Sequence, residues 1–413
     1  MEGEQNPETN IFTQYIQKRH SLVRNSKILQ TTYIPDNLPH RKDKIDAIVE
    51  IIAPALNGDK PSNILIIGKT GTGKTAVMNY IGKELRKADP QERNVCYIYI
   101  NCEVNDTAYG ILYSISNQII KDVNNKIPFT GWSIDKILAT LTEIIDRENK
   151  VFVVVLDEID RSIQKNGDDI FYYLTTINEV LQNSRVSIIG ITNNAKFTEL
   201  LSPKIKSRLG EEKLVFPPYN VTQLEDILSN RASAAFDEGV LDDDVIAYCA
   251  ALSAQEMGDA RRALELLRIS AEIAERNGDS RVTSAHVRSA RSKIEVDAIV
   301  EVIKTLTIHS KILLMGIIKN TESGMSTMTT GDAYSSYCAV CESIGQSVLT
   351  QRRITGLIQE LDMLGVIHAR LKSYGRTGRT KEIELCIPKD IINMVKSDEL
   401  FKEYRSPKQS TLI

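Results

Sequence analysis

Residues 68–75 read Gly-Lys-Thr-Gly-Thr-Gly-Lys-Thr, the complete pattern G-x-x-x-x-G-K-[ST], between an apolar run, Asn63-Ile64-Leu65-Ile66-Ile67, and a helix-compatible stretch. Such a segment constrains the fold to a strand, a tight glycine-rich turn and a helix in immediate succession. Glycines let backbone N–H groups curl around anionic oxygens, and the helix turns its positive end toward the same point. The turn is a cradle for a nucleoside triphosphate, formed by Gly68, Lys69, Thr70, Gly71, Thr72, Gly73, Lys74, Thr75 and Ala76. Lys74 reaches the β and γ phosphates and Thr75 holds Mg2+. A plain Gly-rich turn is the bland alternative, disfavoured by the flanking strand and helix.

A second segment supplies the partner such a cradle needs. Val151-Phe152-Val153-Val154-Val155-Leu156 is a continuous apolar, β-branched run suited to a strand buried on both faces, and it ends in Asp157-Glu158. Asp157 is placed to hold Mg2+ directly or through water. Glu158 is placed to orient or deprotonate a water attacking the γ-phosphate. The alternative is a solvated acidic loop.

The chain has 413 residues, 42% hydrophobic and 25% charged, enough for two or three globular domains. A formal net charge of −3 gives no global pull toward nucleic acid or anionic membrane, so a basic binding surface has to be local. No apolar run reaches the ~18 residues of a membrane span and the first residues are acidic, so a cytoplasmic protein without membrane contact is expected. Six scattered cysteines suit a reducing interior. Cys338-Ala339-Val340-Cys341 is a CxxC without a second pair, expected to be structural rather than metal-binding or redox-active.

From residue 62 to about 218 strand and helix alternate, with strands expected at 63–67, 95–101, 151–156 and 186–192 in a parallel sheet covered on both faces. Phe216-Pro217-Pro218-Tyr219-Asn220 breaks the pattern, and 221–294 reads as helices only. After that come a helix over 296–318, a Ser/Thr/Gly-rich loop, helices over 332–343 and 348–364, and strands over 366–374 and 380–387 around Gly375-Arg376-Thr377-Gly378. Helices followed by a basic hairpin give the order of a winged helix-turn-helix. The expected architecture is α/β: a nucleotide-binding sheet domain with an N-terminal arm over 1–218, a helical lid over 219–294 and an α+β winged helix over 295–413.

Three further residues carry site chemistry. Asn193 ends the apolar run 186–192 and can contact the γ-phosphate or the attacking water, or simply form a turn. Arg208, in Ser207-Arg208-Leu209, can reach a neighbouring subunit's nucleotide as an arginine finger, or form a surface salt bridge. Arg261, in Gly258-Asp259-Ala260-Arg261, opens a lid helix and can touch the γ-phosphate in cis, while Arg262 is expected to be solvated. An arginine on a separate lid lets nucleotide state change the angle between lid and sheet.

In this order the phosphate loop, Leu156-Asp157-Glu158, Asn193, Ser207-Arg208-Leu209 and Gly258-Asp259-Ala260-Arg261 resemble an AAA+ ATPase. Leu38-Pro39-His40-Arg41, Phe216-Pro217-Pro218-Tyr219 and the segment from Gly375 to Ile383 narrow the resemblance to archaeal replication initiators of the origin recognition complex and cell-division-cycle six type, over residues 15–400. That resemblance implies ATP or ADP held between sheet and lid, and an adenine pocket using Tyr33, Pro39, His40, Arg41, Tyr219 and Ile227. It implies as partners duplex origin DNA, other initiator subunits and the replicative helicase. The family's initiator-specific helical insertion touches DNA; the corresponding stretch here, Asn105 to Val123, has Lys121 as its one basic residue.

Charge places the DNA end independently. Between Gln351 and Lys381 stand Arg352, Arg353, Arg370, Lys372, Arg376, Arg379 and Lys381 against Glu360 and Asp362. Thr350, Gln351, Arg352 and Arg353 begin the second helix of the pair, where side chains enter a major groove. Arg376 at the hairpin tip is suited to a minor groove or to phosphates. Three functions remain open at this stage: an ATP-switched origin-binding initiator with slow hydrolysis, a nucleotide-bound regulator or repressor at origins or promoters, and an AAA+ protein remodeller using its winged helix on protein partners.

Overall fold

The computed structural model describes residues 21–373 and 379–401. The chain divides into two compact units, Met1–Val287 and Arg288–Ile413.

In the first unit a five-stranded parallel sheet has the order β2-β3-β4-β1-β5, with β1 Ile64–Gly68, β2 Val95–Asn101, β3 Val151–Asp157, β4 Arg185–Thr192 and β5 Glu212–Phe216. All seven residues of β3 are buried. Both faces are therefore covered: one by a cluster including Phe152, Val154 and Leu156, the other by one including Val151, Val153 and Val155. At roughly 1.5–3 kcal/mol for each fully buried aliphatic side chain, this interior strand is a main anchor of the unit. The alternation of strand and helix follows the sequence expectation, with one correction. β5 reads Glu-Lys-Leu-Val-Phe and is not among the strands expected from the sequence; it is an edge strand pairing Ile66 with Leu214 and Gly68 with Phe216. Its outer residues stay largely exposed, so burial left it no apolar run.

The order of the strands decides where chemistry can occur. β4 lies between β1 and β3, so the ends of β1, β4 and β3 stand side by side at the carboxyl edge of the sheet. Ligands of open α/β sheets bind at that edge. The phosphate loop leaves β1 there, Thr192-Asn193 ends β4, and Asp157-Glu158 ends β3.

Helices Val221–Ala235, Val245–Gln255 and Ala260–Asn277 follow the sheet. The first opens with a reciprocal cap in which Asn220 accepts from the Gln223 N–H and the Gln223 side chain accepts from the Asn220 N–H. The third is capped by Asp259, which accepts from the N–H groups of Arg261 and Arg262.

The helix expected over 296–318 is two helices, Ser284–Thr305, which begins before the second unit, and Ile308–Glu322 within it. The break falls at Thr307, whose hydroxyl accepts from the Ser310 N–H and caps the second of them. Helices Thr330–Ser343 and Gln351–Met363 follow, then β7 Ile367–Ser373 and β8 Arg379–Leu385, antiparallel. A short β6, Met328–Thr329, joins β8 to give the order β6-β8-β7. This strand of two residues and a closing helix, Lys389–Ser397, were not legible as elements. Cys341 is buried in the core of this unit and Cys338 packs against it. Among the described residues no helix is long and apolar enough to cross a membrane.

Candidate functional site

The phosphate loop is shaped by its glycines and by what crowds them. Gly71 has φ +71 and a Cβ there would lie 1.7 Å from Asp259 Oδ1; Gly73 has φ +87 and a Cβ would lie 2.6 Å from the Tyr219 hydroxyl. Side chains are thus excluded by backbone conformation and by the lid together. The lid touches the loop directly, since the Ala260 N–H donates to the Gly71 carbonyl at 3.2 Å.

Lys74 is buried and its ammonium donates to the carbonyls of Gly68 at 2.6 Å and Lys69 at 2.8 Å and to Asn193 Oδ1 at 2.6 Å. Burial pulls its pKa down, opposed by the charges of Asp157 and Glu158. Asn193 Nδ2 in turn donates to Glu158 Oε2. One amide side chain therefore links the phosphate-loop lysine to the acid at the end of β3. Asp160 holds that amide's strand end in place, accepting from the Thr192 hydroxyl at 2.5 Å and the Asn193 N–H at 2.9 Å.

The Thr75 hydroxyl donates to Asp157 Oδ2 at 2.7 Å, and the Tyr99 hydroxyl donates to the same oxygen at 2.6 Å. Burial, and then the nearby Asp157 charge, push the Tyr99 phenol upward, so it stays a donor. Asp157 Oδ1 accepts from the Glu158 N–H at 2.9 Å. Asp157 and Thr75 present hard oxygen atoms at one point, a donor set that fits Mg2+.

A cavity of about 600 Å3 opens beside the loop, lined by Gly71, Gly73, Thr75 and Ala76 together with residues that include Tyr33, Pro39, Tyr219, Ile227, Arg231 and Arg261. Lys69 and Thr70 are exposed on the loop. His40 and Arg41 are placed differently from the pocket walls. His40, at φ +61, points to the lid, where its Nε2 lies 2.7 Å from Asp226 Oδ2. Arg41 is buried behind the cavity and donates to the carbonyls of Thr72 at 2.9 Å and Pro217 at 2.8 Å. Its guanidinium stacks 3.8 Å from the centre of the Tyr219 ring. Arg41 thus ties phosphate loop, β5 exit and lid entry into one piece, and burial lowers its pKa.

Arg208 is not among the cavity's lining residues. It lies on the helix Pro203–Leu209 and pairs with Glu179 at 2.5 Å. Arg262, expected to be solvated, pairs instead with Glu256 at 3.2 Å and Glu265 at 3.7 Å.

Comparison with known proteins fits this geometry. Residues 37–189 match the model of an AAA ATPase domain, 225–292 that of the Cdc6 AAA+ ATPase-type lid domain, and 301–395 that of the CDC6 C-terminal winged helix domain. An ORC1-type DNA replication protein of Thermococcus kodakarensis is 48% identical over 95% of this chain and 94% of its own. The chain belongs to the ORC1-type DNA replication proteins. A relative from Methanosarcina mazei is 47% identical over 93% of this chain and 92% of its own. Among solved structures, the Aeropyrum pernix ORC1 protein in complex with DNA superposes with TM-score 0.78 and 42% identity, covering 92% of this chain and 97% of that one.

On the ORC1-type winged helix, Thr350, Gln351, Arg352 and Arg353 are all exposed at the start of the helix Gln351–Met363, whose buried side carries Ile354, Leu357, Ile358 and Leu361. Arg370 and Lys372 stand exposed on β7; Arg370 Nε donates to His368 Nε2 at 2.6 Å and Lys372 pairs with Glu382 at 2.7 Å. Lys381 is half-buried on β8 and Arg379 begins that strand. Arg376 lies outside the described residues.

Several residues that the sequence did not single out shape the ORC1-type site: Tyr99 and Asp160 hold the acids and Asn193, and Arg231 lines the cavity. A signal for Arg231 existed, since it follows Ile227 by four residues on one helix and so shares its face.

Proposed function

We propose that this initiator binds ATP between sheet and lid, hydrolyses it slowly, grips duplex origin DNA with its winged helix and helps to bring the replicative helicase there. The observation that carries the nucleotide reading is the row Lys74–Asn193–Glu158 at the carboxyl edge of the sheet, beside the glycine loop and a cavity of nucleotide size.

Phosphates in the loop would exchange the Gly68 and Lys69 carbonyls for phosphate oxygens at the Lys74 ammonium. Thr75 and Asp157 would hold Mg2+, which would supply positive charge to offset that developing on the phosphates. Glu158 would take the proton of the attacking water, with Asn193 orienting it. Arg261 reaches the cavity from the lid and is suited to sense the γ-phosphate in cis. The part of the cavity wall formed by Tyr33, Pro39, Tyr219 and Ile227 is suited to an adenine ring.

The position of Arg208 supports slow hydrolysis by a lone subunit. It lies away from its own chain's cavity, so a lone subunit lacks the cation that typically gives about 10^3–10^5 in rate when supplied across an interface. Nucleotide state then serves as a switch, and a neighbouring initiator subunit completes the site.

The DNA reading rests on the exposed first turn of the helix Gln351–Met363, where Arg352 and Arg353 project from a domain whose homologue in Aeropyrum pernix was solved with DNA. Arg370, Lys372 and Lys381 add positive charge on β7 and β8, and the sequence adds Arg376 between these strands and Arg379 at the start of β8. The test is retention of the replicative helicase on an origin-bearing plasmid in the presence of ATP. ATP-dependent retention supports the initiator; origin binding without retention makes the protein a regulator of origins.

A further inference from the structure

Residues 22–39 form a strap that runs from the lid to the phosphate-loop side of the cavity. Its first part is sewn to the lid: the Leu22 N–H donates to Glu275 Oε1 at 2.8 Å, Val23 pairs with Phe236, the Arg24 N–H donates to the Ala235 carbonyl at 2.8 Å, and Leu29 is buried. Its last part ends at buried Arg41 on the sheet side. Between them the chain crosses the cavity, and nine of the 22 lining residues belong to it, more than the phosphate loop contributes. A nucleotide with its phosphates in the loop has its base under this span, so the span or the lid must open for the nucleotide to leave.

One side chain gathers strap and lid at that point. Arg231, on the lid helix Val221–Ala235, donates Nη1 to the Ile28 carbonyl and Nη2 to the Tyr33 carbonyl, each at 3.0 Å. Its guanidinium also stacks 4.6 Å from the centre of the Tyr33 ring. Both bonds are charge-assisted, and the planar fork is pre-organised to make them together. Burial lowers the pKa of this guanidinium, which marks it as partly withdrawn from water. A further tie on the span, Asp36 to Lys83 at 2.6 Å, joins two exposed side chains and holds weakly.

We propose that Arg231 is the clasp of a nucleotide-retaining strap. It is a positioning residue: its outer nitrogens are committed to the strap's carbonyls, and it sets how long a nucleotide stays by holding the span over the base. Because the clasp sits at the base end, it acts alike on diphosphate and triphosphate. The inference rests on the nucleotide reading given above.

The experiment uses the full chain loaded with ADP, and separately with a non-hydrolysable ATP analogue, each carrying a fluorescent N-methylanthraniloyl group, chased with excess unlabelled nucleotide. Arg231→Ala should raise the dissociation rate at least about tenfold, equivalent to about 1.4 kcal/mol, and by the same factor for both nucleotides. Arg231→Lys, which keeps the charge but can neither fork nor stack as a plane, should fall between it and the unaltered chain. Should the alanine variant fail to fold, Arg231→Lys and Arg231→Gln decide, with acceleration expected in both. Unchanged rates, or acceleration for one nucleotide alone, overturn the clasp while leaving the nucleotide site in place. An unaltered chain that takes up neither nucleotide overturns the nucleotide reading and the clasp with it.

Discussion

The Lys74 ammonium and the Glu158 carboxylate are joined through the two ends of one amide, that of Asn193. Three separate segments of sequence, 68–75, 157–158 and 193, meet because β4 lies between β1 and β3. The group that would bind phosphate and the group that would activate water are thus held by the residue suited to sense the γ-phosphate between them.

Replacing Lys74 by Ala removes the ammonium that donates to the Gly68 and Lys69 carbonyls of the glycine loop. ATP affinity should fall at least about a hundredfold, or about 2.7 kcal/mol, by titration calorimetry. Affinity within threefold of the unaltered chain would show that the loop holds phosphate by its backbone alone.

Glu158→Gln keeps the size and the hydrogen bond to Asn193 but cannot accept a proton. ATP binding should persist while single-turnover hydrolysis slows by about 10^2-fold or more, the scale of general-base catalysis. Normal hydrolysis in this variant would move the base elsewhere, with Asp160, two residues on, the next group to vary.

Arg208→Ala should leave hydrolysis by verified monomer unchanged and lower it only where subunits assemble head to tail on DNA. An equal loss in monomer would place Arg208 in the cis site, contrary to its position on the helix Pro203–Leu209 paired with Glu179.

In the winged helix, each phosphate contact contributes about 0.9 to the slope of log affinity against log salt. Arg352→Ala with Arg353→Ala should weaken or relax site choice on duplex DNA. Lys372→Ala should lower affinity on most sequences and flatten the salt slope by about one contact, measured by fluorescence anisotropy from 50 to 300 mM salt. Slopes identical to the unaltered chain would remove these residues from the backbone contacts.

The parts legible in the sequence were those whose signal is local. The glycine loop, the apolar runs of β1 to β4 and the acids after β3 announce themselves because full burial demands a continuous apolar string. β5 was missed because an edge strand with exposed Glu212 and Lys213 carries no such string; its pairing with β1 decides it. The break at Thr307 was missed because apolar spacing continues across it, and only the cap marks the new helix. In the site, Tyr99 and Asp160 act by holding other residues, and a supporting hydrogen bond leaves no pattern along the chain. His40 and Arg41 were legible as a motif but not in their contacts, which reach residues 186 and 176 positions away.

The most direct measurement is capture of fragmented genomic DNA from the source organism at about 0.15 M salt by the unaltered chain and by the Arg352→Ala, Arg353→Ala double variant. Recovery of a few discrete loci by the former, lost in the latter, is the expected result. Uniform recovery across the genome, or none, would contradict an initiator that chooses its own origins.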